Sequence, residues 1–159
     1  MLWLATLVCA GLFSLGWWVS RPVGWFWRWV FRLAFLLMLL GLVLPPAGVD
    51  WIRDALSVFV PLAREASDIP GISYVVHFIL FASVSGLLFW IRSDLGRLYP
   101  ALAMAALAFV AEGLQLLVDG RFASWGDVGI NLVGVAVAAA LVWTLQYLYS
   151  GRDATRQVP

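Results

Sequence analysis

Lysine is absent from this chain of 159 residues, and charge of either sign is scarce. Ten arginines and nine acids make up 12% of the residues and leave a net charge of +1. So sparse and balanced a set forms no basic face for nucleic acid, and no nucleic-acid-binding motif accompanies it. Cysteine occurs once, at position 9, so an internal disulfide is excluded. Cys9 lies within an apolar run and reads as a small hydrophobe; a lipoprotein-type acylation site would need a basic segment before it. Histidine also occurs once. Without His-x-x-x-His or paired-cysteine spacing there is no metal motif, and no cofactor-binding motif is present either.

What fills the chain instead is hydrophobicity. Apolar residues make up 64%, against roughly 45–50% apolar and 25% charged in soluble domains, so the composition belongs to the membrane class. Five stretches approach the length of about 17–25 residues that crosses the hydrocarbon core: 2–19, 29–44, 74–91, 101–118 and 128–149. The expected fold is therefore all-α, a polytopic transmembrane helix bundle forming a single domain over 1–150. A polar tail over 151–159 is expected to be disordered. The first stretch is not read as a cleaved signal peptide, because it lacks a basic start and an Ala-x-Ala site.

The connections carry their own signals. Trp17, Trp18, Trp25, Trp27 and Trp29 are interleaved with Arg21, Arg28 and Arg32, which reads as an interfacial aromatic belt with basic anchors. Arg32, inside the second stretch, is expected to snorkel to the interface. The longest link opens with Pro45-Pro46. Within it Ile52, Leu56 and Phe59 recur at helical spacing, so a short amphipathic helix near 50–60 is expected to lie on the membrane, ended or kinked at Pro61. With the N-terminus outside, seven arginines (21, 28, 32, 92, 97, 152 and 156) fall on the cytoplasmic side and three (53, 64 and 121) outside. The positive-inside rule thus favours N-out, C-in.

On that topology the polar residues converge. His77 lies one turn into the third span, Glu112 and Gln115 close the fourth, and Asp127 and Asn131 open the fifth, all toward the same membrane face. Glu112 and Gln115 share a helix face, with Asp119 continuing the stripe. Asp127 and Asn131 share another, extended by the small residues Gly134 and Ala138, which would let a neighbouring helix approach closely. Ser73, His77, Phe81 and Ser85 form a third stripe, and the three stripes are expected to face each other. In the loop 119–127, Gly120 suits a helix C-terminal turn, Ser124 or Asp127 suits an N-cap, and Arg121 is the one cation placed to meet the acids or an anionic ligand.

The order His77-Phe78, Glu112-Gly-Leu-Gln115, Gly120-Arg121 and Ser124-x-x-Asp127-x-x-x-Asn131-x-x-Gly134 resembles the VanZ-like membrane proteins. The resemblance covers about 72–142. One departure is Ser73-Tyr74, where that family commonly has Asp-Lys, with Asp68 the nearest acid in the sequence. The resemblance implies bacterial cell-envelope biology and residence in the inner membrane. The founding member accompanies glycopeptide-resistance clusters and is linked to lowered teicoplanin susceptibility.

Several functions fit these residues. The cluster of His77, Glu112, Gln115, Arg121, Ser124, Asp127 and Asn131 could bind an anionic amphiphile, such as a membrane lipid or lipid-linked cell-wall precursor, with Arg121 on the head group. It could instead serve an enzyme acting on such a lipid, with His77 or Glu112 as general acid or base and Asp127 as orienting partner. No nucleophile motif supports catalysis; Ser124 is the only nearby hydroxyl in the loop. The same residues could be interhelical glue, worth about 0.6 kcal/mol per hydrogen bond. Finally, the aromatic-rich first two helices could dock a membrane-protein partner, making the chain an accessory subunit.

Overall fold

Arginines take over the role of helix caps in this bundle, and their reach defines its topology. The computed structural model describes residues 1–57 and 71–155, which form α1 (Leu2–Val19), α2 (Trp25–Val43), α3 (Pro46–Ser57), α4 (Ile72–Ile91), α5 (Leu98–Gln115) and α6 (Trp125–Thr155). A single 3-10 turn, Ser93–Leu95, joins α4 to α5, and there is no strand among the described residues. Five helices, all but α3, are long and apolar enough to cross a membrane, with mean hydropathy between 1.4 and 2.1. The chain is an all-α, multi-pass membrane protein.

The C-terminal carbonyls of a helix have no partners within it. At the end of α1, Arg32 donates from Nη2 to the Trp17 carbonyl (3.2 Å) and from Nε to Ser20 Oγ (2.9 Å). Arg92, at the end of α4, donates to the Val19 carbonyl and forms a two-pronged pair with Asp94, both contacts at 2.8 Å. At the end of α2, Arg121 from the α5–α6 loop donates to the Leu44 carbonyl (3.0 Å) and the Gly41 carbonyl (3.2 Å). A planar guanidinium suits two adjacent carbonyls, and its charge complements the negative end of the helix dipole. These links hold the ends of α1 and α4 at one face, and the end of α2 with the α5–α6 loop at the other.

Several sequence expectations shift in register. The second span begins at Trp25 rather than 29, with Gly24 as N-cap, so Trp25, Trp27 and Arg28 belong to the helix rather than the link. Arg32 does not snorkel: it is buried, stacked on the Trp17 ring at 3.5 Å from the centroid. The fourth span runs from Leu98 to Gln115, three residues earlier than 101–118, because Pro100 is accommodated in the first turn and the Leu117 and Val118 N–H groups tighten into three-residue hydrogen bonds to the Leu114 and Gln115 carbonyls. Gly120 then reverses the chain at φ 79°, a left-handed conformation that favours glycine.

The expected amphipathic helix corresponds to α3, which starts earlier, with Pro46 in the first helical position. Phe59 and Pro61, like Arg64 and Asp68, fall outside the described residues. The last helix continues to Thr155, five residues into the stretch expected to be disordered. No proline interrupts it, and the Ser150 hydroxyl bonds back to the Gln146 and Tyr147 carbonyls within the helix.

The core lies where α4 and α6 pack most extensively, against α2 and α5. Phe31, Phe35, Met38, Phe81, Val84, Leu107, Ala108 and Ala138 are among its buried side chains. The small-residue stripe works as expected. A Cβ on Gly134 would come within 2.9 Å of the Phe78 carbonyl oxygen and 3.2 Å of the Ala82 nitrogen. The two backbones touch there, which fixes how α4 presents His77 to α6.

Candidate functional site

The chain's only histidine and only asparagine meet across this contact. His77 Nδ1 lies 3.2 Å from Asn131 Oδ1, and both residues are buried. The bond bridges α4 and α6 one turn from Gly134, so the close backbone approach is what brings the two groups into range. Phe81 and Ser85, which continue the His77 stripe, are buried as well.

Glu112 does something the sequence did not reveal. Its Oε2 accepts a hydrogen bond from the backbone N–H of Ser124 at 2.9 Å. Ser124 is the N-cap of α6: its Oγ accepts from the Gly126 N–H at 3.1 Å, and its carbonyl accepts from Asp127 and Val128. Ser124-x-x-Asp127 has the spacing of a capping box, in which the acid at the third helical position would reach back to the N-cap N–H. Here Glu112, from the preceding helix, takes that N–H instead. Asp127 stays in the first turn, half-buried, without a hydrogen-bond partner among the described residues, where its charge still favours the helix N-terminus.

Three buried polar atoms of the cluster have no partner among the described residues: Glu112 Oε1, Gln115 Nε2 and Asn131 Nδ2. Leaving such groups unmatched costs about 1–3 kcal/mol each, so the site has spare hydrogen-bonding capacity pointing inward. Asp119 is exposed and stays outside the cluster.

Arg121 is engaged differently from the sequence expectation. Rather than pairing with the acids, it caps α2, although Asp127 and Glu112 are close enough for their charges to act on it. Burial pushes its guanidinium below the ordinary arginine value, and those two carboxylates oppose the shift. Its Nε and Nη2 are occupied by carbonyls, which leaves Nη1 without a hydrogen bond among the described residues.

Two cavities flank the cluster. One, of about 300 Å³, is lined by His77, Ser73 and Arg121 together with Met38, Leu42, Val49, Leu80 and Phe81. It is therefore walled by α2 and α3 as well as α4 and the α5–α6 loop, a contribution of the N-terminal half that sequence spacing did not signal. The other, of about 270 Å³, lies beside Glu112, Ser124 and Trp125 between α5 and the start of α6. His77 and Glu112 lie toward the same end of the bundle but take different partners and face different cavities. No group of three or more histidine, cysteine or acidic residues able to hold a metal occurs among the described residues.

No family model, curated protein or solved structure matches this chain. The class that the fold defines is a five-span helical membrane protein with a polar layer near one end of its bundle.

Proposed function

We propose that the protein binds an anionic amphiphile, an envelope lipid or lipid-linked cell-wall precursor, in the cavity between α2, α3 and α4. The observation that carries this reading is the cavity's division of labour. Met38, Leu42, Leu80 and Phe81 supply apolar wall for a chain, while Ser73 and Nη1 of Arg121, which has no hydrogen bond among the described residues, supply donors for an anionic head. His77, whose Nδ1–H is taken by Asn131 Oδ1, presents its other ring nitrogen. Ligand sites commonly combine a mostly apolar lining of about 300 Å³ or more with a few convergent polar groups.

The VanZ-like resemblance of 72–142 agrees with an envelope role, and through it with a link to glycopeptide (teicoplanin) susceptibility. On this reading the chain resides in a bacterial inner membrane, N-terminus out and C-terminus cytoplasmic, so the cavity opens to the outer face. Catalysis by His77, Glu112 and Asp127 is the weaker reading. His77 is bonded to Asn131, Glu112 to the Ser124 N–H, and Ser124 itself is committed to capping.

The test is native mass spectrometry of lipids retained by the wild type, by Arg121→Gln and by Leu80→Trp, which fills the cavity. A defined anionic amphiphile kept by the wild type and lost from folded Leu80→Trp supports the site. The same unselective lipids on all three would overturn it.

A further inference from the structure

At the opposite end of the bundle, the turn between α1 and α2 gathers positive charge with no acidic partner among the described residues. Arg32 is 6% exposed. Its partners are Ser20 Oγ, the Trp17 carbonyl and the faces of the Trp17 and Trp29 rings, at 3.5 and 5.3 Å from the guanidinium carbon. All are neutral. Among the described residues, the charges that act on it are those of Arg28 and Arg21, with no carboxylate among them. Asp94, the acid that follows α4, is already held by both prongs of Arg92.

A buried cation facing two like charges is costly unless an anion completes the site. Donors for one remain. Arg28 spends Nε and Nη2 on the Val23 carbonyl and Arg32 spends Nε on Ser20 and Nη2 on Trp17, so each keeps Nη1 without a hydrogen bond among the described residues, and Arg21 is exposed. Around them Trp18, Trp25, Trp27 and Trp29 are exposed, as rings at a membrane interface are. Basic clusters of this kind beside transmembrane helices suit acidic lipid head groups.

We propose that the α1–α2 turn is a second lipid site, specific for an acidic phospholipid, whose phosphodiester sits among Arg21, Arg28 and Arg32 while its glycerol backbone lies in the tryptophan belt. The site stands apart from the His77–Arg121 cavity and does not depend on the reading given to that cavity.

The full chain in detergent micelles, titrated with phosphatidylglycerol and with phosphatidylcholine and followed by native mass spectrometry, tests it. The wild type is expected to prefer phosphatidylglycerol by more than tenfold at low salt. The double variant Arg21→Gln/Arg28→Gln keeps the structural Arg32 and is expected to bind phosphatidylglycerol about 25-fold more weakly, roughly fivefold for each surface arginine removed. Leu80→Trp fills the other cavity, at the far end, so a phosphatidylglycerol preference that persists in it belongs to the α1–α2 turn, and a preference lost in it would overturn the proposal. Inorganic phosphate should not displace the lipid; equal competition by phosphate would show an anion site without lipid specificity and overturn the proposal. So would a wild type without preference, or a folded double variant that retains it. Should the double variant not fold, salt decides on the wild type alone. The preference must collapse by about 0.5 M salt, where the screening length falls to a few ångströms, and a salt-insensitive preference refutes the site.

Discussion

Gly134→Ala should push apart the two helices that pack most extensively in this protein. The new Cβ would lie 2.9 Å from the Phe78 carbonyl oxygen, 3.2 Å from the Ala82 nitrogen and 3.4 Å from Phe81 Cβ. The two nearest atoms are backbone, so no side chain can swing aside, and α4 and α6 must move apart. Overpacking of this kind costs about 1–3 kcal/mol. Alanine's better helix propensity, about 1 kcal/mol over glycine, offsets part of that. Gly129→Ala isolates the steric part. It lies in the same helix, gains the same propensity, and its Cβ would meet nothing within 4 Å. The difference between the two variants is therefore the clash alone, about 1–3 kcal/mol, or roughly 2–12 °C in Tm at this chain length. Thermal unfolding in detergent, followed by circular dichroism, reads it directly. Because His77 and Asn131 meet one turn away, the imidazole resonance of Gly134→Ala should also change by NMR while that of Gly129→Ala does not. Equal stability of the two alanine variants would refute the account of how α4 and α6 are held together.

Three further outcomes follow from the same geometry. Arg32→Lys keeps the charge but loses the fork that spans Ser20 Oγ and the Trp17 carbonyl, and should lower stability by about 1–3 kcal/mol in denaturant unfolding; a lysine variant as stable as wild type would show that charge alone suffices. Glu112→Gln retains an oxygen for the Ser124 N–H, whereas Glu112→Ala leaves that N–H unmatched, so the alanine variant should be the less stable by about 1–3 kcal/mol, and the reverse order in the same assay would remove Glu112 from its capping role. The Arg92 guanidinium holds the Asp94 carboxyl below its ordinary range. Its folded pKa is thus lower than its unfolded value of about 3.9, so the pair's contribution is complete above that value and disappears as pH falls through the folded one. The stability gap between wild type and Asp94→Asn should persist at neutral pH and close in acid, and a gap that is the same at both pH values would contradict it.

The single amino-acid sequence determined the all-α bundle, its five spans and the face at which polar residues gather. Those features depend on hydrophobic length and on chain order: a helix must satisfy its own backbone in lipid, and alternating spans carry the start of one and the end of the next to the same side. The small-residue stripe through Gly134 was legible for a related reason, since only residues without bulk admit a second backbone. Local capping was legible too, because Ser124 and Gly120 act within a few residues of themselves.

Only the tertiary structure decided which partners the polar groups take. Spacing placed Glu112 near Asp127, but helix rotation and the tight 116–118 turn gave Glu112 the Ser124 N–H and left Asp127 without it. Sequence offered Arg121 to the acids or a ligand, while the unmet carbonyls of Gly41 and Leu44, some eighty positions away, held most of its donors. Arg32 was expected in the head groups and is buried on α1 for the same reason. A helix end exposes carbonyls that no residue code advertises, and in a chain without lysine it is the arginine brought nearest by packing that answers them.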